Sequence, residues 1–154
     1  MPVSETSSFS DGDPRTRAGL SIELRSAVLL LARRIRQERS DEQITHSEYS
    51  VLAILQHYGP LTSGKLAEHE QVQPPSMTRT LGNLEKKGFV KRAEDPDDRR
   101  QVVVDLTPAG STIVEDTRRR RDAWLARRLD ALDSQQRATL ADAAQILRVM
   151  ITPQ

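Results

Sequence analysis

Two stretches carry side chains whose types and spacing could do chemistry. The first, "RAEDPDDRRQVVVDLTPAG", sets the acids Glu94, Asp95, Asp97 and Asp98 beside the adjacent Arg99 and Arg100. Guanidinium groups offer planar forks of donors that match carboxylate or phosphate oxygens, and a neighbouring aspartate can hold such a fork in one orientation. The second, "QPPSMTRTLGNLEKKG", places Ser76, Arg79, Asn83 and Lys86 at three- and four-residue steps, so that on a helix they share one face. A hydroxyl, a guanidinium, an amide and an ammonium on one face form a donor-rich surface suited to a polyanion.

Catalytic and metal chemistry find less support. Without cysteine there is no disulfide, thiolate nucleophile or cysteine-ligated zinc. His46 and His57 stand eleven positions apart, His69 lies further on, and no carboxylate pair joins them at ligand spacing, so no metal site is expected. Neither a nucleophile elbow nor a Gly-rich phosphate loop occurs, and no enzymatic activity or cofactor is expected.

A length of 154 residues suggests one domain with extensions. Aromatic residues make up only 3%, which disfavours an aromatic-walled cofactor pocket and points to a core of Leu, Val, Ile and Ala. The net charge of +1 means that a polyanion-binding surface must gather its cations locally. The longest apolar run, "AVLLLA", is far short of the roughly 20 residues needed to span a bilayer, and the polar N-terminus lacks an apolar signal segment. A cytoplasmic protein with no membrane partner and a disordered tail over residues 1–16 is expected.

The elements that must position the two stretches are legible in the periodicity. Leu20, Leu24, Val28, Leu31 and Ile35 mark a long amphipathic helix over residues 17–39. Thr45 and Glu48 have capping-box spacing and start a second helix ending at Tyr58, before Gly59 and Pro60. Thr62 caps a short third helix, and Pro74 and Pro75 open a fourth that Gly88 stops. Met77, Leu81 and Leu84 form its apolar stripe, opposite Pro75, Ser76, Arg79, Gly82, Asn83 and Lys86. "FVKRA" and "QVVVDL" read as the strands of a hairpin whose tip is the charged loop. Thr107 and Pro108 begin another helix, over about Ala109 to Leu129, and Ser134 to Ile151 form a last one with Leu140, Ala144, Leu147 and Ile151 on one side.

Helix, turn, helix, hairpin is the order of a winged helix-turn-helix, in a fold that is mainly α with a minor β part. An α-helix fits the DNA major groove, so Ser76 and Arg79 are the expected base readers, with Pro75 against a thymine methyl. Asn83 and Lys86 suit phosphate or solvent. Thr62 and Ser63 suit backbone phosphate at a helix N-terminus. An arginine at the hairpin tip can enter a narrow minor groove, which gives the charged loop its use.

At these residues the sequence resembles the MarR family of winged-helix transcription regulators. "PPSMTRTLGNLEKKGFVKR" and "DPDDRRQVVVDLTPAG" follow that family's recognition helix, Asp-x-Arg wing and Leu-Thr-x-x-Gly helix start. The resemblance assigns Asp98 and Arg100 to the wing motif, with Arg99 between them, and Pro75, Ser76 and Arg79 to base-reading positions. It implies a homodimer on double-stranded, pseudo-palindromic DNA, built by long N- and C-terminal dimerisation helices (residues 17–44 and 108–154) around a DNA-binding region at 45–107. Leu20, Leu24, Val28, Leu125, Leu140, Leu147 and Ile151 are the expected dimerisation residues, since those helices carry more apolar surface than one small domain needs. It also implies a ligand-responsive repressor with a small aromatic or phenolic effector, whose binding residues the sequence does not identify.

Other features read more plainly. Arg118–Arg121, Arg127 and Arg128 lie among Glu115, Asp116, Asp122 and Asp130 and fit a solvated, salt-bridged face, while Trp124 fits core or dimer interface. A winged helix that binds protein would need large apolar anchors on the outer face of the fourth helix, where this chain has polar groups.

Overall fold

The computed structural model describes residues 13, 16–39, 42 and 44–152. Apart from Asp13 and Thr16, the expected N-terminal tail lies outside them. The described residues up to Gln37 and those from Glu38 onward are two compact units.

In the first unit, α1 (Arg17–Arg36) begins at Thr16, whose hydroxyl accepts the Gly19 N–H at 3.0 Å. It stops short of the expected residue 39 because Gln37 caps it, donating its N–H to the Arg34 carbonyl. Most of its large apolar side chains are exposed, among them Leu20, Ile22 and residues 28–31, while Leu24 and Ile35 are half-buried.

The second unit runs α2 (His46–Tyr58), β1 (Leu61–Thr62), α3 (Ser63–Glu70), α4 (Pro74–Lys86), β2 (Val90–Glu94), β3 (Val102–Leu106), α5 (Pro108–Asp130) and α6 (Ser134–Ile151). The strands form an antiparallel sheet in the order β1-β3-β2. In the hairpin Val90 pairs with Leu106 and Glu94 with Val102. The two-residue β1, which the sequence reading did not anticipate, pairs Leu61 with Val104 and ties the start of α3 to the hairpin. Two residues carry no periodicity of their own, so only this pairing makes them a strand.

One core joins α2, α3, α4, the hairpin and the start of α5. Val51, Leu52 and Leu55 of α2, Leu66 of α3, Met77, Leu81 and Leu84 of α4, Val90, Val104, and Val114 of α5 are buried together. Three of them are the predicted stripe of α4, so that helix is seated by its apolar face and its polar face is left outward. Trp124 is buried within the chain. On α6, by contrast, no described residue is buried. No helix among the described residues is long and apolar enough to cross a membrane.

Candidate nucleic-acid interface

Local signals set each end of α3 and α4. The Thr62 hydroxyl accepts the Lys65 N–H at 3.3 Å and starts α3, and its own hydrogen remains available to an acceptor. Thr62 and Ser63 are half-buried at that helix start. Gln71, at φ 53°, closes α3 in the left-handed conformation and redirects the chain into α4. Pro74 and Pro75 fill the first turn of α4. Gly88, at φ 75°, takes the chain out of it, and Phe89 donates its N–H to the Leu84 carbonyl at 3.0 Å.

The outward face of α4 matches the expected set. Pro75, Ser76, Arg79, Asn83 and Lys86 are all exposed. Thr78, outside the expected set, is exposed on the flank of that face. Its hydroxyl donates to the Pro74 carbonyl at 3.0 Å, as Thr80 does to Ser76 at 3.1 Å. With those hydrogens committed to the helix, Thr78 offers the outside a methyl and an acceptor.

The wing tip is held by its own carboxylates. Asp95 Oδ1 accepts the N–H groups of Asp97 and Asp98 at 2.8 and 3.3 Å, the turn-forming bond that an aspartate before proline favours. Asp98 Oδ1 accepts both the backbone N–H and Nε of Arg100 at 3.1 Å, and Oδ2 accepts from Arg100 Nη2 at 3.4 Å and Gln101 Nε2 at 3.3 Å. These bonds, Arg100's side chain first and then its backbone N–H, hold the Asp98 carboxyl below its ordinary pKa. Arg100 itself remains 91% exposed at the tip. Asp95 shapes the loop and Asp98 aims the arginine, so acid beside base is a positioning arrangement.

The base of the wing is fixed at α5. Thr107 caps that helix by accepting the Gly110 N–H at 3.1 Å, and donates its hydroxyl hydrogen to the Gly88 carbonyl at 2.6 Å. A Cβ on Gly110 would lie 2.1 Å from the Phe89 carbonyl oxygen, so this position admits only glycine without moving the backbone.

The arginine run on α5 divides. Arg119 pairs with Asp116 as a solvated pair. Arg121 departs from the expected solvated face: its guanidinium lies 4.2 Å from the ring centroid of buried Tyr49, and its Nε donates to the Glu38 carbonyl at 3.3 Å. It packs against α2 because a helix stripe that includes Val114, Thr117 and Trp124 carries it inward.

A helix, a turn, a second helix with a polar outer face and a hairpin with an arginine tip define a winged helix-turn-helix, a DNA-binding fold. The model of the MarR family matches residues 44–102. The chain is 38% identical over 141 residues to an HTH-type transcriptional regulator of Mycobacterium bovis, covering 92% of this chain and 96% of that one. It is 31% identical over 109 residues to the HTH-type transcriptional repressor MdtR of Bacillus subtilis, covering 66% of this chain and 70% of the repressor. A MarR family protein from Bacillus stearothermophilus has a similar structure, with a TM-score of 0.77 at 25% identity, covering 92% of this chain and 99% of that one. The chain belongs to the MarR family of DNA-binding transcription regulators, which are not enzymes.

Proposed function

We propose that this protein is a homodimeric, ligand-responsive repressor that reads a pseudo-palindromic operator. The observation that carries the reading is the pairing of an outward polar face on α4 with an arginine tip aimed by Asp98. Ser76 and Arg79 read base edges in the major groove, and Pro75 meets a thymine methyl. Thr62, Ser63, Asn83 and Lys86 meet phosphate, and Arg99 and Arg100, with Asp98 as their brace, address the adjacent minor groove.

Dimerisation is supported by the apolar surface that the chain leaves uncovered. On α6 Leu140 and Ile151, with Ile146, Val149 and Met150 beyond the expected set, are exposed, and Leu147 is half-buried; on α5 Leu125 is half-buried. On α1 Leu20 and Val28 are exposed beside half-buried Leu24. Contiguous exposed apolar side chains of this kind mark association surfaces. Residues 17–44 and 108–154 then serve dimerisation around the DNA-reading region at 45–107, and two-fold symmetry of the protein is mirrored in its operator. Repression has support in the likeness to MdtR. A small aromatic or phenolic effector has support in the family alone; it would release DNA by binding the non-competent arrangement better, a coupling of typically about 1–3 kcal/mol. A cytoplasmic location fits a regulator of transcription.

The test is an anisotropy titration of the purified protein against the intergenic DNA upstream of its own gene, with competitor DNA, at two salt concentrations. Tight, competitor-resistant and salt-sensitive binding by two protomers is expected. Binding no stronger than to competitor, there and after random-site selection, would overturn the reading.

A further inference from the structure

Besides the Arg100–Asp98 pair of the tip, three ion pairs among the described residues lie at the end of α4 and the base of the hairpin, and they differ in how much water they see. Lys91–Asp105, at 3.8 Å, and Arg92–Glu85, at 3.3 Å, keep their side chains between one third and two thirds exposed. Pairs of that kind contribute under about 1 kcal/mol. The third is different. Lys87 Nζ donates to Glu48 Oε1 at 2.9 Å and to Oε2 at 2.8 Å, and Glu48 is only 3% exposed. The same Oε2 accepts the Thr45 N–H at 2.9 Å, while Thr45 Oγ1 accepts the Glu48 N–H at 3.2 Å. The carboxylate is therefore fixed by the first turn of α2, whose Val51, Leu52 and Leu55 are core. Its partner is the residue that caps α4, with its own N–H donated to the Asn83 carbonyl at 3.1 Å.

Only the carboxylate is buried, the Lys87 side chain being 28% exposed; such a pair is a weak source of stability, because desolvation consumes much of the attraction, but it is directional where apolar packing is not. Met77, Leu81 and Leu84 turn the apolar face of α4 into the core, but non-directional packing that includes an adaptable methionine tolerates small rolls about that orientation. A roll of about 10° moves a side-chain end lying about 6 Å from the helix axis by about 1 Å. That is enough to take a bidentate hydrogen bond outside its narrow range of distances.

We propose that Glu48 and Lys87 form a positioning clamp, which fixes the roll and axial position of α4 against α2 so that the Arg79 face meets the groove in one register. The proposal rests on the reading of α4 as the recognition helix. Neither residue touches DNA in this role. The clamp lies at one end of α4 and acts on discrimination at Arg79, two turns away.

The test uses the full-length chain, its preferred duplex from random-site selection, and a scrambled duplex of equal length and composition at the same salt. Glu48→Gln and Lys87→Met should each lower the ratio of preferred to scrambled affinity by about tenfold, within the span that a base contact discriminates. The double variant should be no worse than either single one. Lys87→Arg, which keeps charge and reach, should stay within about threefold of the parent. Ratios are measured well below each variant's melting temperature, where partial unfolding would lower both affinities alike. An unchanged ratio in Glu48→Gln and Lys87→Met overturns the clamp. So does an equal loss on both duplexes in Lys87→Met together with a gain on both in Glu48→Gln, which would make Lys87 a phosphate contact. If Lys87→Met does not fold, Glu48→Gln decides alone, since glutamine can still accept the Thr45 N–H. A parent protein that prefers no duplex would instead remove the DNA-reading assignment itself, a distinct failure.

Discussion

Helices α4 and α6 are both opened by local signals and both carry apolar residues at helical spacing, yet they end in opposite situations. On α4 the stripe Met77, Leu81 and Leu84 is buried in the chain's own core. On α6, whose start is secured by a capping box between Asp133 and Gln136, nothing described is buried, with Ile146 62% and Val149 76% exposed. Helical spacing therefore specifies that a face exists, but not what covers it. In α4 the cover is the same chain. For α6 we propose a second copy.

The largest expected effect separates the two helices by stability. Leu81→Ala empties a site that is 1% exposed and should cost about 3–4 kcal/mol in a chemical denaturation curve. A loss under about 1 kcal/mol would mean that α4 is seated loosely. Next, Ile146→Asp combined with Val149→Asp should leave helical content at low temperature intact while weakening self-association by about 30-fold, roughly 2 kcal/mol, in sedimentation measurements. Lost helix at unchanged mass would show that α6 covers its own chain instead.

A smaller pair of effects divides the two elements proposed to read DNA. Arg79→Ala should relax base preference within each half-site by about 1.5 kcal/mol. Arg100→Ala should weaken many sequences, by about 1 kcal/mol and most where the minor groove is narrow and A/T-rich. Intact specificity in the first, or unchanged affinity at A/T-rich sites in the second, would move the reading surface elsewhere.

The smallest effect is one of pH. Burial pushes the Glu48 carboxyl pKa up, but the Lys87 hydrogen bonds, the Thr45 N–H and the Lys87 charge outweigh it and hold it below the ordinary value. A depressed carboxylate pKa contributes stability that is present above the unfolded-state value and is lost as pH falls through the folded-state one. The stability difference between the parent and Glu48→Gln should therefore shrink as pH is lowered from about 7 to about 3. A constant difference over that range would detach the pair from acid stability.

Much of the fold was legible because its signals act within one turn. The Thr45–Glu48 capping box and the threonine caps at Thr62 and Thr107 join groups three residues apart, while the prolines of α4 and the stop at Gly88 act through their own backbone torsions. The two strands of the hairpin, bounded by turn residues, and the polar face of α4 were readable from equally short-range pattern. Asp95 could have been read as the turn acceptor of the wing, since Asp-Pro has that habit.

The remainder required the tertiary structure. Leu61 and Thr62 are a strand only because Val104 and Val103 stand beside them. Glu48 is visible locally as half of a capping box, and its second role depends on a lysine 39 positions away. Arg121 looks like its neighbours in a run of four, until the helix stripe turns it over Tyr49. Gly110 is irreplaceable for a reason no spacing shows, a carbonyl at Phe89 brought too close for any Cβ. Caps, periodicity and turns are written in adjacent residues because they are satisfied by adjacent backbone groups. Contacts between residues distant in the chain exist only after the core has brought the elements together.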